Sequence, residues 1–196
     1  MKRILQANQK KPVRTTVQSG GEKILRQIAK EVPTGDIKTT KIKRILKEML
    51  GALNSQGDGV AIAAPQIGYP FRIFVVSGKI FAKNFAKNRE VPTQVGIPTE
   101  VGKDPAVKDL IFINPKISKL SREKEWLSEG CLSVRWLYGK TLRSTKATIV
   151  AYDGNGKKFT RGASGLLAQI FQHETDHLDG ILFIDHAKEI KEEKPK

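Results

Sequence analysis

Cysteine and histidine are scarce in this chain of 196 residues, which contains one cysteine and three histidines. A single cysteine excludes a disulfide within the chain, and this fits a reducing compartment. Long apolar runs are also missing, since no stretch approaches the roughly 18 residues that a membrane-spanning helix needs. We therefore expect no membrane partner. The apolar fraction of 39% and the charged fraction of 28% indicate a soluble globular protein with one substantial core.

Acidic residues are outnumbered, because 20 of them oppose 35 basic residues and leave a formal net charge of +15. Such an excess favours a polyanionic partner, with RNA or the ribosome surface as examples. The basic residues are spread along the chain and form no recognised nucleic-acid motif, so we expect no DNA specificity. Plain solubility is the competing explanation for the charge.

The first 20 residues contain five basic residues, no acidic one and no apolar segment of the kind that marks a secretory signal. We predict an irregular basic arm over residues 1–20 and expect a cytoplasmic, bacterial protein. An acid-free N-terminus with arginines is also typical of organellar transit segments. A plastid or mitochondrial location therefore stays open.

The segment Q-H-E-T-D-H-L-D-G at 172–180 holds two of the three histidines, His173 and His177. Residues four apart lie on one face of a helix, so both imidazoles can point at one metal ion. Glu174 is rotated about the axis from His173, where it can act as a base without being a ligand. Ser164 as N-cap and Gly180 as a stop bracket the predicted helix. Taken alone, the motif is equally consistent with two histidines on an ordinary amphipathic helix.

A catalytic metal site needs a third protein ligand, and Cys131 in the segment E-G-C-L-S is the candidate. A thiolate binds divalent iron or zinc well. The competing interpretation is a small buried hydrophobic residue, which is a common fate of free cysteine. The neighbouring Gly130 favours the first interpretation, because glycine lets another part of the backbone approach closely.

The rest of the chain predicts a single catalytic domain over residues 21–186, followed by a charged tail over 187–196 that frays or extends the last helix. Within Q-G-D-G-V-A-I-A-A-P-Q-I-G at 56–68, Gln66 is the only long polar side chain in the interior of the run. Residues 78–109 form a long surface excursion, and D-G-N-G at 153–156 predicts a hairpin. Helices are predicted over 21–32 and 39–54, and strands over 72–76, 110–114, 117–120, 145–152 and 157–161.

Three segments, D-G-V-A-I-A-A-P-Q at 58–66, E-G-C-L-S at 129–133 and Q-H-E-T-D-H-L-D-G at 172–180, resemble in order and spacing the three motifs of bacterial-type peptide deformylases, organellar members included. The similarity extends from about Ile24 to Asp185. It implies an α+β fold with antiparallel sheets around a central H-E-x-x-H helix. It also implies metal-dependent hydrolysis of the formyl group from N-terminal formyl-methionine, with formyl-methionyl nascent peptides as partners and formate as a product.

The resemblance also implies roles for individual residues. Members of the family work best with Fe²⁺, although Zn²⁺, Ni²⁺ or Co²⁺ can occupy the site. By this carry-over Cys131, His173 and His177 bind the metal, Glu174 is the general acid and base, the Gln66 amide and the Leu132 backbone N–H form the oxyanion hole, and Gly59, Val60 and Gly130 line or hydrogen-bond the extended substrate.

Some positions depart from the family pattern. Ala61 stands where a second glycine is usual, and we expect its methyl group to narrow or shift the pocket. Arg135 replaces a proline, and Tyr138 stands where many members carry an arginine at the pocket mouth. The excursion at 78–109 looks longer than in minimal members. These changes leave the predicted metal ligands and base intact, so they bear on substrate preference.

Two other functions are compatible with the same residues. The H-E-x-x-H motif also occurs in peptidases that cut internal peptide bonds. The high charge and the altered pocket positions would suit a deformylase-like protein that binds ribosomal RNA or nascent chains without catalysis. The five intact residues Cys131, His173, Glu174, His177 and Gln66 weigh against this second alternative.

Overall fold

The computed structural model describes Val13, residues 21–82, Phe85 and residues 108–193. The predicted basic arm over 1–20, apart from Val13, and most of the excursion over 78–109 lie outside the described residues. No helix in the described ranges is long and apolar enough to cross a membrane.

Helix α2, Thr40–Asn54, matches the helix predicted over 39–54. Thr39 precedes it in an extended conformation, and its side chain accepts a hydrogen bond from the backbone N–H of Ile42, as an N-cap does. The apolar stripe is buried, and the lysines face outward. The stripe consists of Ile42, Ile45, Leu46, Met49, Ala52 and Leu53.

Helix α1 spans only Gly21–Leu25, although a helix was predicted to reach residue 32. Partners elsewhere in the chain take the backbone groups that a longer helix would use. The Ala29 N–H donates to the Leu178 carbonyl at 2.8 Å, and the Lys30 N–H donates to the Pro70 carbonyl at 2.8 Å. Tertiary hydrogen bonding therefore overrides the apolar spacing in this segment.

A five-stranded antiparallel sheet carries the main core, with strand order β1-β2-β3-β6-β7. Helix α3, Gly165–Leu178, packs across it. Phe112 joins the two layers, because its ring stacks on Phe74 at 4.5 Å and meets Phe171 of α3 edge-on at 5.2 Å. The strands are β1 Ala61–Ala63, β2 Ile73–Val76, β3 Leu110–Leu120, β6 Lys146–Tyr152 and β7 Lys158–Ser164. The predicted hairpin joins β6 to β7 through residues 153–156.

A second, three-stranded sheet has the order β4-β5-β8. It consists of β4 Lys124–Cys131, β5 Val134–Ser144 and β8 Lys188–Glu192. The prediction that residues 187–196 fray or extend the last helix is wrong over β8, which pairs with β5 at Leu137 and Lys140. Every residue of β8 is exposed, so no apolar alternation marks this strand in the sequence.

Each sheet ends in a strand that has no strand partner on its outer side among the described residues. β1 closes one edge of the larger sheet, and β4 closes one edge of the smaller sheet. The end of β4 lies beside the segment around β1, because the Gln66 Nε2 is 3.1 Å from the Ser133 Oγ. Two strand edges therefore border one region of the molecule.

Strand β3 continues through Pro115, where the sequence predicted a break. The pairing with β6 shifts register between Ile113 and Lys116, and Asn114 adopts a φ of 51°. A bulge of this kind removes the need for an N–H donor at the proline. The buried Asn114 side chain accepts from the Val32 N–H at 2.8 Å and donates to the Val32 carbonyl at 2.7 Å.

Replacement of Asn114 by Ala should lower the free energy of unfolding by about 2–4 kcal/mol, because two buried backbone groups lose their partners. Asn114→Gly should recover only the part of the lost free energy of unfolding that is due to the strain of a positive φ in alanine. Urea denaturation monitored by circular dichroism measures both. Asn155→Ala, at an exposed turn position, is the control and should change stability by less than about 0.5 kcal/mol. A wild-type midpoint for Asn114→Ala would contradict the bridging role.

Candidate metal centre

Helix α3 presents His173 and His177 on one face, with ring centroids 4.9 Å apart. Phe171 of the same helix packs into the sheet, and the Phe183 ring stacks beside that of His173 at 6.4 Å. The helix begins after Ser164, as predicted, although the serine side chain makes no capping bond. Gly180 follows the helix end with a φ of 75°, and a Cβ there would lie 2.6 Å from the Arg26 carbonyl oxygen. Glycine is therefore required by both conformation and space.

The last residue of β4, Cys131, meets the helix. Its Sγ lies 3.2 Å from the Nε2 of His177, and one ligand atom from each of Cys131, His173 and His177 lies within 4.8 Å of the others. The structure thus brings together the three residues that the sequence predicted as metal ligands. Cys131 is 42 residues from His173 and 46 residues from His177 along the chain.

The spacing of these atoms fits one divalent ion. A tetrahedral site with bonds of about 2.3 Å to sulfur and about 2.0–2.1 Å to nitrogen places its ligand atoms about 3.5 Å apart. The Nδ1 of His173 lies 3.1 Å from the Glu129 carboxylate, which leaves Nε2 as the nitrogen for a metal. Three protein ligands also leave one coordination position open, as a catalytic site requires.

The electrostatics of the cluster favour a cation. Burial raises the pKa of the Cys131 thiol, but the imidazoles of His177 and His173 outweigh this effect and hold the pKa well below its usual range. Burial lowers the pKa of His173, and the nearby Cys131 and Glu129 outweigh that effect and raise it. A thiolate and two imidazoles form a donor set that suits divalent iron or zinc.

Glu129 lies behind the candidate metal ligands, and no role for it was predicted from the sequence. Arg143 donates to both carboxylate oxygens of Glu129, at 2.7 and 3.0 Å, and to Asp176 at 2.6 Å. Burial raises the pKa of Glu129, but the hydrogen bonds from His173 and Arg143 lower it far more, so the group stays ionised. Glu129 lies two residues before Cys131 on the same strand and hence on the same face, a signal that could have identified it.

Glu174 is buried beside the imidazoles, and its Oε2 has no hydrogen-bond partner in the part of the chain that the structure describes. Burial raises the pKa of Glu174 to about 7, although His173 and His177 oppose part of the shift. A carboxyl group with a pKa near neutrality can both accept and return a proton at physiological pH.

The Gln66 side chain points toward the same centre from the short 3-10 helix, Ala64–Ile67, that follows β1. Its Oε1 accepts from the Ala63 N–H at 2.8 Å, while its Nε2 lies 3.1 Å from the Ser133 Oγ and 3.6 Å from the Cys131 Sγ. Leu132 lies directly after Cys131, in the turn between β4 and β5. The Gln66 amide therefore lies beside the thiol, and the oxyanion-hole role of Gln66 and Leu132 stays a prediction.

Gly59 and Val60 lie at the entry to β1. A Cβ on Gly59 would lie 3.1 Å from the side chains of Gln56, Leu53 and Leu132, so this position is closely packed. The Val60 carbonyl accepts from the Ser77 N–H at 2.8 Å.

Gly130 and Ala61 are two further positions that the sequence singled out near the substrate. Gly130 is exposed, and the Tyr138 ring lies beside it, so that a Cβ there would approach that ring to 2.7 Å. Ala61 is buried in the cluster that contains Phe74 and Phe171, and the expectation that its methyl group narrows or shifts the pocket stays a prediction.

A thiolate and two imidazoles that could hold one divalent ion, with the buried carboxylate of Glu174 beside the imidazoles, are the side chains of a candidate metallohydrolase centre in an α+β fold. The family model for polypeptide deformylase matches residues 15–193. This chain belongs to the peptide deformylase family. The family and the antiparallel fold predicted from the motifs are confirmed.

Relatives come from bacteria and plants. Peptide deformylase 2 of Clostridium acetobutylicum is 38% identical over 168 residues, which cover 86% of this chain and 91% of the relative. Peptide deformylase 1A, chloroplastic/mitochondrial, of Arabidopsis thaliana is 33% identical over 85% of this chain. The chain spans 59% of that plant relative and 60% of the chloroplastic peptide deformylase 1A of Solanum lycopersicum.

Solved structures of deformylases superpose on the fold. The Met-Ala-Ser-bound class I type b enzyme from Acinetobacter baumannii gives a TM-score of 0.71 at 27% identity and covers 91% of this chain and 100% of its own. The actinonin complex of the Synechococcus elongatus enzyme gives 0.67 at 28% identity, over 90% of this chain and 78% of its own.

Glu129→Gln should weaken metal binding about 10- to 100-fold, because His173 loses the charged partner that orients its ring. Competition for Zn²⁺ with a chelator of known affinity measures the effect. Glu125→Gln, an exposed carboxylate on the same strand, is the matched control and should leave the affinity unchanged. Equal affinities for wild type and Glu129→Gln would show that Glu129 does not support the ligand.

Proposed function

We propose that this protein hydrolyses the formyl group from the N-terminal formyl-methionine of newly made polypeptides and releases formate and a free N-terminus. The observation that carries the proposal is the convergence of Cys131, His173 and His177 beside the buried carboxylate of Glu174. Membership of the deformylase family supports the choice of a formyl group over other acyl groups.

The proposed cofactor is one divalent ion held by Cys131, His173 and His177, with Fe²⁺ as the native ion and Zn²⁺, Ni²⁺ or Co²⁺ as alternatives. The mixed thiolate and imidazole donors support this choice. When bound, such an ion supplies Lewis-acid polarisation and acidifies water. Arg143 and Glu129 keep the His173 ring in the orientation that ligation requires.

Glu174 is proposed as the group that moves the proton. Its Oε2, which has no hydrogen-bond partner among the described residues, accepts the proton of the attacking water and then returns it to the leaving amine nitrogen. A pKa raised to about 7 by burial suits both steps. The low-dielectric surroundings also prevent bulk water from competing for the same proton.

Gln66 and Leu132 are proposed as donors to the oxygen that gains negative charge on the formyl carbon. The Gln66 amide is held in place by the Ala63 N–H and Ser133, so it needs little reorganisation when the charge develops. A preorganised donor of this kind contributes about 2.7–4 kcal/mol to lowering the barrier.

The peptide is proposed to bind as an extended strand in the region bordered by β1 and β4. Gly59 and Val60 would flank it on one side and Gly130 on the other, since strand edges that no described strand covers offer backbone hydrogen bonds. Val60, Leu132 and the part of α3 near His173 supply apolar surface for the methionine side chain. The Acinetobacter relative that binds Met-Ala-Ser supports a peptide ligand of this length.

The cellular setting belongs to the same proposal. A net charge of +15 supports a ribosome surface contact near emerging nascent chains. The lone cysteine and the bacterial relatives support the cytoplasm of a bacterium, and the plant relatives named for chloroplasts and mitochondria support an organelle as the alternative.

Formate release from formyl-Met-Ala-Ser by anaerobically purified protein, with metal analysis alongside, tests the proposal. Formate release with one bound metal per chain is expected. Cleavage of internal bonds in an unformylated peptide, without formate release, would instead identify an internal peptidase. Salt-sensitive ribosome binding without any hydrolysis would identify a non-catalytic relative.

Glu174→Ala should bind metal normally and lose about 10²- to 10⁴-fold in kcat, because the proton acceptor and donor is removed. Formate release is compared at equal metal content. Glu193→Gln, which changes an exposed carboxylate, should behave as wild type. Near-normal turnover by metal-loaded Glu174→Ala would remove this residue from the mechanism.

Gln66→Leu should lower kcat about 10²- to 10³-fold, since the donor acts mainly in the transition state. The KM should change far less than kcat. Ser133→Ala, which loses only the partner that orients the amide, should show a smaller loss. A wild-type kcat for a folded Gln66→Leu protein would exclude the donor role.

A further inference from the structure

Arg135 crosses from one sheet to the other. It lies at the start of β5, and its Nη1 is 2.7 Å from the Asp58 Oδ2, while its Nη2 is 2.6 Å from the Gln56 Oε1 and 3.3 Å from the Asp58 Oδ1. Asp58 and Gln56 belong to the turn that leads into β1. One guanidinium group therefore joins the three-stranded sheet to the entry of the five-stranded sheet.

The turn that Arg135 holds is the one that presents Gly59. The Gly59 N–H donates to the Gln56 carbonyl at 3.3 Å, which closes the turn. Lys79 holds the turn separately through the Gly57 carbonyl at 3.1 Å. Because Gly59 is packed against both Gln56 and Leu132, a shift of Gln56 would change the distance between the β1 entry and the end of β4.

The conformation of Trp136 contributes to the placement of the Arg135 side chain. The next residue, Trp136, has a φ of 68°, a conformation that bulky residues rarely adopt. The guanidinium carbon of Arg135 lies 5.3 Å from the centroid of the Trp136 ring, as in a cation–π contact. The Trp136 carbonyl accepts from the Glu193 N–H at 2.8 Å, which anchors the strained residue.

The separation of the two strand edges matters for a peptide that binds between them. Neighbouring strands lie about 4.8 Å apart, so two edges that share one inserted strand must be held about 9.6 Å apart. Backbone hydrogen bonds weaken quickly outside about 2.7–3.2 Å. A link between the edges can therefore set how well the peptide backbone is bound.

We propose that Arg135 is a positioning residue that fixes the width of the peptide cleft by holding Asp58 and Gln56, and that it thereby sets the affinity for the residues that follow formyl-methionine. The inference rests on the proposed function. Arg135 makes its contacts to the cleft border and not to the reacting atoms. It therefore acts on binding of the peptide backbone and leaves the hydrolytic step unchanged.

Steady-state kinetics with formyl-Met-Ala-Ser and with formyl-Met amide, which lacks the following residues, test the proposal. In Arg135→Ala the KM for the tripeptide should rise about 5- to 10-fold, as expected for a partly exposed charged hydrogen bond. Its kcat, and the kcat/KM for formyl-Met amide, should stay within about twofold of wild type. Arg122→Ala, an exposed arginine in the turn before β4, is the matched control and should leave all values unchanged.

Further variants separate a specific link from general destabilisation. Asp58→Asn should raise the tripeptide KM in the same way and provides the test if Arg135→Ala does not fold. The exchanged pair Arg135→Asp with Asp58→Arg should return the KM to within about threefold of wild type, because the link is restored with reversed polarity. Arg135→Lys should fall between Arg135→Ala and wild type, since an ammonium cannot reproduce the planar fork.

An unchanged tripeptide KM in folded Arg135→Ala or Asp58→Asn would overturn the positioning role. An equal loss on both substrates would also overturn it, because the effect would then not depend on the residues after methionine. Absence of formate release by the metal-loaded wild type from either substrate would instead overturn the proposed function, and this inference with it.

Discussion

The candidate metal centre depends on the hydrogen bonds of the Glu129 carboxylate. This carboxylate bonds to His173 of α3 on one side and to Arg143 of β5 on the other, and Arg143 continues to Asp176. Burying these charges is costly, and the cost is offset only because each charge meets an opposite charge with good hydrogen-bond geometry. Removing one member would strand the others in a dry environment. The network therefore fixes helix, hairpin and metal ligands as one unit.

The elements that sequence patterns could predict are those with local causes. Helix α2 follows from its apolar stripe and its threonine cap, and the turn at 153–156 follows from its glycines. The elements that were missed have distant causes. Helix α1 stops because Ala29 and Lys30 bond to other segments, and β8 exists because β5 offers an edge. Pro115 is tolerated in β3 because Asn114 takes a positive φ.

The candidate site shows the same division. The spacing of His173, Glu174 and His177 encodes one face of a helix, and a lone cysteine limited the choice of a third ligand. The contact of Glu129 with Arg143 depends on the register of a hairpin, which spacing along the chain does not reveal. The contact of Arg135 with Asp58 joins residues 77 positions apart, so only the folded chain reveals it.

The candidate metal ligands come from separate parts of the fold, and this affects how long the protein survives in the cell. Cys131 ends a strand of the small sheet, while both imidazoles come from the helix packed on the large sheet, so the donor atoms assemble only in the native state. A metal ion that binds only the native state raises the stability of the protein in proportion to the logarithm of the free metal concentration. Cellular metal supply would then govern how much of this protein survives proteolysis, and oxidation of the thiolate would shorten its half-life.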